Sequence, residues 1–334
     1  MAILPCAASL AIVARVGDDG AITWLLGSKD PSVRLLTLTD VVGASPRSRE
    51  VREAREAIPS GPRVRRLLRG QKRDGGFGIN PYAKWTGAHW RLVSLVELGI
   101  PPKHPQAVAA AETVLAWLTR RADAFAGTQP GRVRLHASIE GNGIGACSRL
   151  GLAGDRRVRD LVARLVAAQW PDGGWNCDPD PDATHASFHE SLATLWGLAE
   201  FANATGDDEA TAAADRAAEL LLSHRVFRSH RTREVGHPEW VKLHYPPYWH
   251  YDVLHALLVL SRWGKAGDSR TTDALELLEE KRREDGRWDA DGRRYWSPPG
   301  SGGPGEEVVD WGPSRPNEMV TLNALRVLQA AGRL

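Results

Sequence analysis

Along most of the chain, apolar residues recur at three- and four-residue spacing, the signature of helices that bury one face. VRRLLRGQ (Val64 to Gln71), VRDLVARLVAAQ (Val158 to Gln169) and ALELLEEKRRE (Ala274 to Glu284) read this way. Each runs into a glycine-marked turn: QKRDGGFG from Gln71, QWPDGGWNCD from Gln169 and KRREDGRWD from Lys281. A second, more uniformly apolar helix follows each turn: Trp85 to Gly99, a helix opening at Thr184, and Arg315 to Gly332. Two more such helices, without the DGG signature, end at Gly151 and Gly264. A closing glycine supplies the left-handed residue that ends a helix. The pattern predicts five helical pairs. A sixth comes from PSVRLLTLTDVVG, with Asp30 as its cap and Pro31 at its first position, together with SREVREAREAI.

The first residues of the turns, Asp74, Asp172 and Asp285, stand 98 and 113 positions apart. That leaves room for two hairpins of about 50 residues between successive turns. The fold class predicted is therefore all-α, an α/α toroid of about six helical hairpins with DGG turns. Residues 31–334 form the single toroid domain, and residues 1–30 are an N-terminal segment packing on it. Closure buries the apolar end faces, whereas an open solenoid needs polar capping repeats that the sequence does not offer. Within each turn glycine permits the bend, aspartate accepts backbone hydrogen bonds and the aromatic residue packs beneath, so Trp175 and Trp288 are assigned to the scaffold.

Composition narrows the classes. With 334 residues, 42% hydrophobic and 25% charged, the chain can bury a large core. Its net charge of +2 supplies no sustained positive field, which argues against nucleic acid as a partner. No stretch reaches the roughly 20 apolar residues of a membrane span. Cys6, Cys147 and Cys177 are an odd, dispersed set that fits a reducing compartment. The opening MAILPCAASLAIVARV lacks basic residues ahead of its apolar run and reads as a packed first segment, so a cytoplasmic location is expected.

QWPDGGW resembles the QW turn of squalene and oxidosqualene cyclases, and the helix-DGG-helix period is similar to that of the protein prenyltransferase β subunit. The likeness covers roughly Pro31 to the end. It implies a double ring of helices around an apolar cavity, with the active site at one mouth, acting on an apolar or isoprenoid-like small molecule. Class II cyclases also carry an Asp-x-Asp-Asp acid. The nearest match, DPDPDAT from Asp178, departs from it, having Ala183 at the last position.

Polar residues cluster at the beginnings of the predicted inner helices. They are His89 and Trp90; His136, Glu140 and Asn142; His185, His189 and Glu190; His250, Asp252 and His255; Asn317 and Glu318. Parallel inner helices would bring these to one mouth, near positive helix ends. His136 and Glu140 are either an acid and base one turn apart or a capping segment. Protein prenyltransferases hold zinc with Asp, Cys and His near the starts of two inner helices. The resemblance places Asp252 and His189 at ligand positions with Cys177 beside them, although the residue identities are permuted. The expected site is thus zinc on Cys177, His189 and Asp252, with His250 and Glu190 as acid–base groups and Trp90, His89, His136 and Trp249 contacting substrate. Each ligand also has a plainer reading: Cys177 packed under its turn, His189 hydrogen-bonded within its helix, Asp252 capping a helix start. Two alternatives stand beside this reading: prenyl transfer to a protein or peptide thiol with a partner subunit, and a non-catalytic binding or scaffold toroid that keeps the ring without the chemistry. Arg63, Arg65, Arg66 and Arg69 are expected on an outer surface, and Arg228 to Trp240 is a polar excursion that either covers the mouth or is solvated.

Overall fold

A computed structural model describes residues 19–124, 128–129, 132–180, 182–291 and 307–334. The expected packing of residues 1–18, Cys6 included, and the middle proline of DPDPDAT lie outside these. Among the described residues the fold is all-α apart from one antiparallel pair of two-residue strands, Thr128–Gln129 and Arg132–Val133. In chain order the helices are α1 (Gly20–Leu26), α2 (Pro31–Leu36), α3 (Arg49–Ala57), α4 (Pro62–Leu68) and α5 (Ala88–Glu97). Then come α6 (Pro105–Ala124), α7 (Ala137–Arg149), α8 (Arg156–Ala167) and α9 (Phe188–Thr205). The last four are α10 (Asp208–Ser223), α11 (Val253–Arg262), α12 (Thr272–Glu280) and α13 (Glu318–Ala330). As predicted, Asp30 caps α2, accepting the Ser32 amide at 2.9 Å with Pro31 in the first turn.

The chain folds back at glycine-marked loops rather than at the DGG turns. α5 packs on α6, α7 on α8, α9 on α10 and α11 on α12. The connecting Gly99, Gly151, Gly206 and Gly264 all have positive φ. The second helix opens later than Thr184, because Ser187 caps it and accepts the Glu190 amide. α5, α7, α9, α11 and α13 are buried nearly all round and pack in that order, α5 on α7 through to α11 on α13. α13 in turn packs on α1 and α2, so the two ends of the described chain meet.

The turns act as clasps with one repeated geometry. Gln71 Nε2 donates to Gly75 O at 2.9 Å and to Gln106 O on α6 at 2.8 Å. Gln169 Nε2 donates to Gly173 O at 2.7 Å and to Ala213 O on α10 at 2.9 Å. In the third turn Arg282 replaces glutamine: it donates to Gly286 O at 3.2 Å and to Asp19, the cap of α1, at 2.6 Å. α1 therefore stands to the third turn as α6 and α10 stand to the first two. Beneath the second and third turns, the fully buried Trp175 and Trp288 indoles donate to carbonyls ten residues upstream, Leu165 O at 2.8 Å and Leu278 O at 2.7 Å. Replacing Gln169 with alanine removes both clasp bonds and is expected to cost about 1–2 kcal/mol, readable as a shift of the urea midpoint at unchanged slope.

No helix among the described residues is long and apolar enough to cross a membrane.

Candidate metal centre

At the starts of α7 and α9, three unlike donors converge. His136 is the residue before α7, Cys177 lies two residues past the Trp175 clasp and Glu190 sits in the first turn of α9. One ligand atom from each lies within 4.8 Å of the others, a group that could hold a metal ion. The clasp fixes this placement: Ser187 N donates to Trp175 O at 2.8 Å, bringing the segment that carries Cys177 against the first turn of α9. Glu190 Oε2 accepts the Ser138 amide at 2.8 Å, and its Oε1 lies 3.9 Å from His136 Nδ1. Burial pushes the Glu190 carboxyl up, but hydrogen bonds from His136, the Ser138 amide and Cys177 outweigh it and hold the group below the usual carboxylate range. Burial and then the Glu190 charge push the Cys177 thiol up to about 12. In metal-free protein Cys177 is thus a thiol at neutral pH. Its alkylation by iodoacetamide is expected to be slow at pH 7 and to go on rising about tenfold per pH unit beyond pH 9 without levelling off, the reverse of an activated cysteine; rapid alkylation at pH 7 would contradict this.

Around the trio are Glu140, Arg164, Arg121, Tyr82 and Trp117. Glu140 Oε1 is 3.5 Å from Arg164, yet burial outweighs the pull of Arg164 and Arg121 and moves its carboxyl up to about 6. Glu140 and Glu190 are therefore a carboxyl pair whose environments separate their proton affinities, the usual arrangement of an acid beside a charged group. The Tyr82 ring stacks on Trp117 at 5.6 Å, and Arg121 lies over both rings. His89 is buried against Trp90 at 4.7 Å, edge to face. Burial, and then Arg121, lower its imidazole to about 3, so it stays neutral.

Of the residues expected as zinc ligands, the structure brings only Cys177 into this group. His189 accepts the Tyr251 amide through Nδ1 at 2.8 Å. That engages its lone pair and leaves hydrogen on Nε2, the wrong form for a ligand. Asp252 is the cap of α11: it is fully buried, accepts the His255 amide at 2.7 Å and the His244 amide at 3.3 Å, and pairs with His244 Nδ1. Burial works against its charge, but His244 and the His255 amide hold its carboxyl below the usual range. The capping reading of Asp252 describes this carboxylate, and the sequence did not single out His244, its partner eight residues earlier in an aromatic, proline-rich stretch.

The remaining expected residues sit beside these two groups. His250 stacks on Trp249 at 3.9 Å and lies 5.9 Å from His189, ring to ring. Trp249 is half-buried, with Lys84 5.2 Å above its ring. Trp90 does not line an opening: it is fully buried with Trp85, Val93 and Tyr248 in a separate aromatic cluster, its indole donating to Tyr82 O. Asn142 ties the two groups together, donating to Tyr248 O at 2.9 Å. A buried carboxyl that sequence reasoning missed, Glu307, accepts from Tyr248 Oη at 3.1 Å and from the Trp311 indole at 2.9 Å; burial moves it up to about 7. The acids of DPDPDAT are exposed and hold turns, Asp178 accepting the Asp180 amide and Asp180 the Asp182 amide. Arg63, half-buried rather than surface, is neutralised by Asp30 at 3.5 Å and Glu318 at 2.8 Å. The Arg228 to Trp240 excursion is exposed over residues 230–238 and lays Trp240 on Phe188, the first residue of α9, at 4.4 Å.

Compared with known proteins, the chain matches no protein-family profile and no curated protein.

Proposed function

We propose that the chain is a single α/α toroid carrying a zinc-assisted enzyme site of terpenoid-cyclase or prenyltransferase type, at the mouth formed by the starts of its inner helices. Its substrate is an apolar or isoprenoid-like small molecule. The observation that carries the reading is the convergence of sulfur, nitrogen and oxygen donors from His136, Cys177 and Glu190. Ring closure is supported by the contacts of α13 with α1 and α2 and by the third clasp reaching Asp19. The cyclase and prenyltransferase assignment itself rests on the resemblance of the turns.

The donor set suits the metal. Zinc takes sulfur at about 2.3 Å and nitrogen or oxygen at about 2.0–2.2 Å, which places tetrahedral ligand atoms about 3.5 Å apart. Closing the trio from its present spacing takes movements of about 1 Å. Three protein ligands leave a fourth position for water or substrate, and bound zinc there would polarise an oxygen or lower the proton affinity of a thiol or water. The chain's own residues do the rest: the Ser138 amide orients Glu190, the stacked Tyr82 and Trp117 exclude water, and Glu140 holds or releases a proton near neutral pH. His250 is the second proton-handling candidate.

The test is a zinc measurement on native, untagged protein never exposed to chelator. One equivalent per chain is expected, with Cys177→Ser weakening affinity at least a hundredfold while thermal unfolding of the metal-free proteins stays alike. Native protein without stoichiometric metal, whose metal-free form also binds none, would overturn the site and leave the fold intact.

A further inference from the structure

The chain's net charge of +2 conceals an uneven distribution. Residues 64–96, which run from α4 through the first clasp into the last turn of α5, hold seven arginines and lysines and a single acid, Asp74. The rest of the chain is therefore net acidic, and positive charge is gathered on one stretch. Arg65, Arg69, Lys72 and Arg73 are all exposed, and among the described residues none of them forms an ion pair. Clasping does not require these charges. The positions of Lys72 and Arg73 are held by Trp170 and Pro171 in the second clasp, and by Arg283 and Glu284 in the third. There Arg283 is answered by Asp285 at 3.2 Å and Asp289 at 3.0 Å.

The first clasp presents its cations rigidly. Lys72 N donates to Gly76 O at 2.8 Å and Gly75 N to Lys72 O at 3.0 Å, a closed turn with Arg73 at its tip. It lies so close to α6 that a methyl carbon on Gly75 would overlap the Ala109 carbonyl. Asp74 turns Oδ1 to the Gly76 amide at 2.9 Å, so the one acid is engaged by the turn itself. Arg91 joins the turn to the end of α4: it donates to Leu67 O at 2.9 Å and Arg69 O at 3.2 Å and lies 3.9 Å above the Phe77 ring. Burial and then Arg66 lower its guanidinium to about 10, as expected where like charges gather. Arg66 itself belongs elsewhere. It donates to Val308 O at 2.9 Å and faces a cavity of about 500 Å³ in which Asp30, Asp310 and Glu318 balance Lys29, Arg63 and Arg66.

The neighbours of these cations select the partner. Ile79 is 48% exposed and directly follows the same turn, an apolar prong beside the charges. Nucleic acid held without base readout needs free rings on which bases stack, but Phe77 lies under Arg91 and Tyr82 is stacked on Trp117. A folded protein partner needs an apolar centre to the contact, and Ile79 is the one large apolar side chain exposed in this stretch. Cations around a single apolar prong suit the headgroup layer of an anionic bilayer, where each nearby cation strengthens binding about fivefold and apolar groups enter below the phosphates. We propose that the face carrying Arg65, Arg69, Lys72, Arg73 and Ile79 docks reversibly on the surface of an anionic membrane. The contact is peripheral, since no helix among the described residues spans a bilayer. Nothing in this surface rests on the metal centre or the enzyme reading.

Sedimentation with vesicles of phosphatidylcholine, alone or with about 30% phosphatidylserine, reads this directly. Native protein is expected to bind the mixed vesicles but not the neutral ones, and to be released as salt rises from about 0.1 M to about 0.5 M. Arg65→Gln, Arg69→Gln, Lys72→Gln and Arg73→Gln combined should weaken binding at least about a hundredfold, at about fivefold per charge, with thermal unfolding unchanged. Ile79→Ser should weaken vesicle binding about threefold or more yet leave retention on heparin, a polyanion without a bilayer, as in the native chain. Arg156→Gln with Arg159→Gln removes two exposed cations of α8 and should bind as the native chain does. Native protein that ignores the mixed vesicles at about 0.1 M salt, or a fourfold variant that binds them like the native chain, overturns the proposal. So does an Ile79→Ser chain with unchanged vesicle binding, which would leave a site for any polyanion.

Discussion

Glu97→Gln is expected to lower folding stability by about 3–5 kcal/mol, the cost of breaking a buried ion pair by removing one partner. Glu97 ends α5, is 5% exposed, and receives Arg262 from the end of α11 through two bonds of 2.8 Å. Arg149, at the end of α7, adds a third bond at 3.1 Å. Nearby, Arg326 of α13 pairs with Asp40 at 2.6 Å. One carboxylate thus ties three helices that lie as far apart as 165 positions in the chain. Glutamine keeps the shape and some hydrogen bonds but leaves Arg262 buried without its counter-charge. The pH dependence has a definite sign. Burial alone would raise the Glu97 carboxyl, but Arg262, Arg149 and Arg326 hold it well below the ordinary range. Its stabilisation is therefore fully present above the unfolded carboxyl value of about 4.3 and is lost as pH falls below that. Urea unfolding at pH 7 and pH 3 should show the native chain losing more stability than Glu97→Gln over this interval. Equal losses would mean the carboxylate is not paired as described.

This hub shows where sequence reading stops. Helices, their glycine ends, the Asp30 cap and the glycine turns with Trp175 and Trp288 packed beneath them were legible, because each rests on neighbours within a few residues; the bonds that Gln71, Gln169 and Arg282 send to the following helix or to Asp19, 35 to 263 positions away, were not. That polar residues stand at the starts of the more deeply buried helices was legible too, since it is read directly from where each apolar run begins. Which of those residues meet was not. Cys177 and Glu190 stand 13 positions apart, but His136 reaches them only because α7 packs tightly on α9. Asp252 is spoken for by its own helix start, which the capping reading anticipated, and by His244, and the lone pair of His189 by the Tyr251 amide; the last two demands have no sequence signature. Arg262 and Arg149 look like ordinary last-turn cations until Glu97 is placed between them.

The same tight packing yields the second large effect. Gly197→Ala is expected to cost about 3 kcal/mol or more, at the upper end for overpacking, and to weaken any zinc binding at the proposed His136, Cys177 and Glu190 centre as well. A methyl carbon on Gly197 would stand 2.2 Å from Gly141 O, and one on Gly141 would stand 2.6 Å from Ala193 O. Backbone faces backbone on both helices, so no side chain can turn aside; α7 and α9 must separate. Separation moves His136 and Ser138, at the start of α7, away from Glu190 on α9 and from Cys177, whose segment is tied to the start of α9 by the bond from Ser187 N to Trp175 O. Gly154→Ala is the control: it has ordinary φ and nothing within 4 Å of the added carbon, so stability should be unchanged or slightly higher. Chemical denaturation and zinc affinity measured together decide the matter. If Gly197→Ala matches Gly154→Ala in both, the close approach of α7 and α9 is wrong, and the His136, Cys177 and Glu190 centre loses the packing that assembles it.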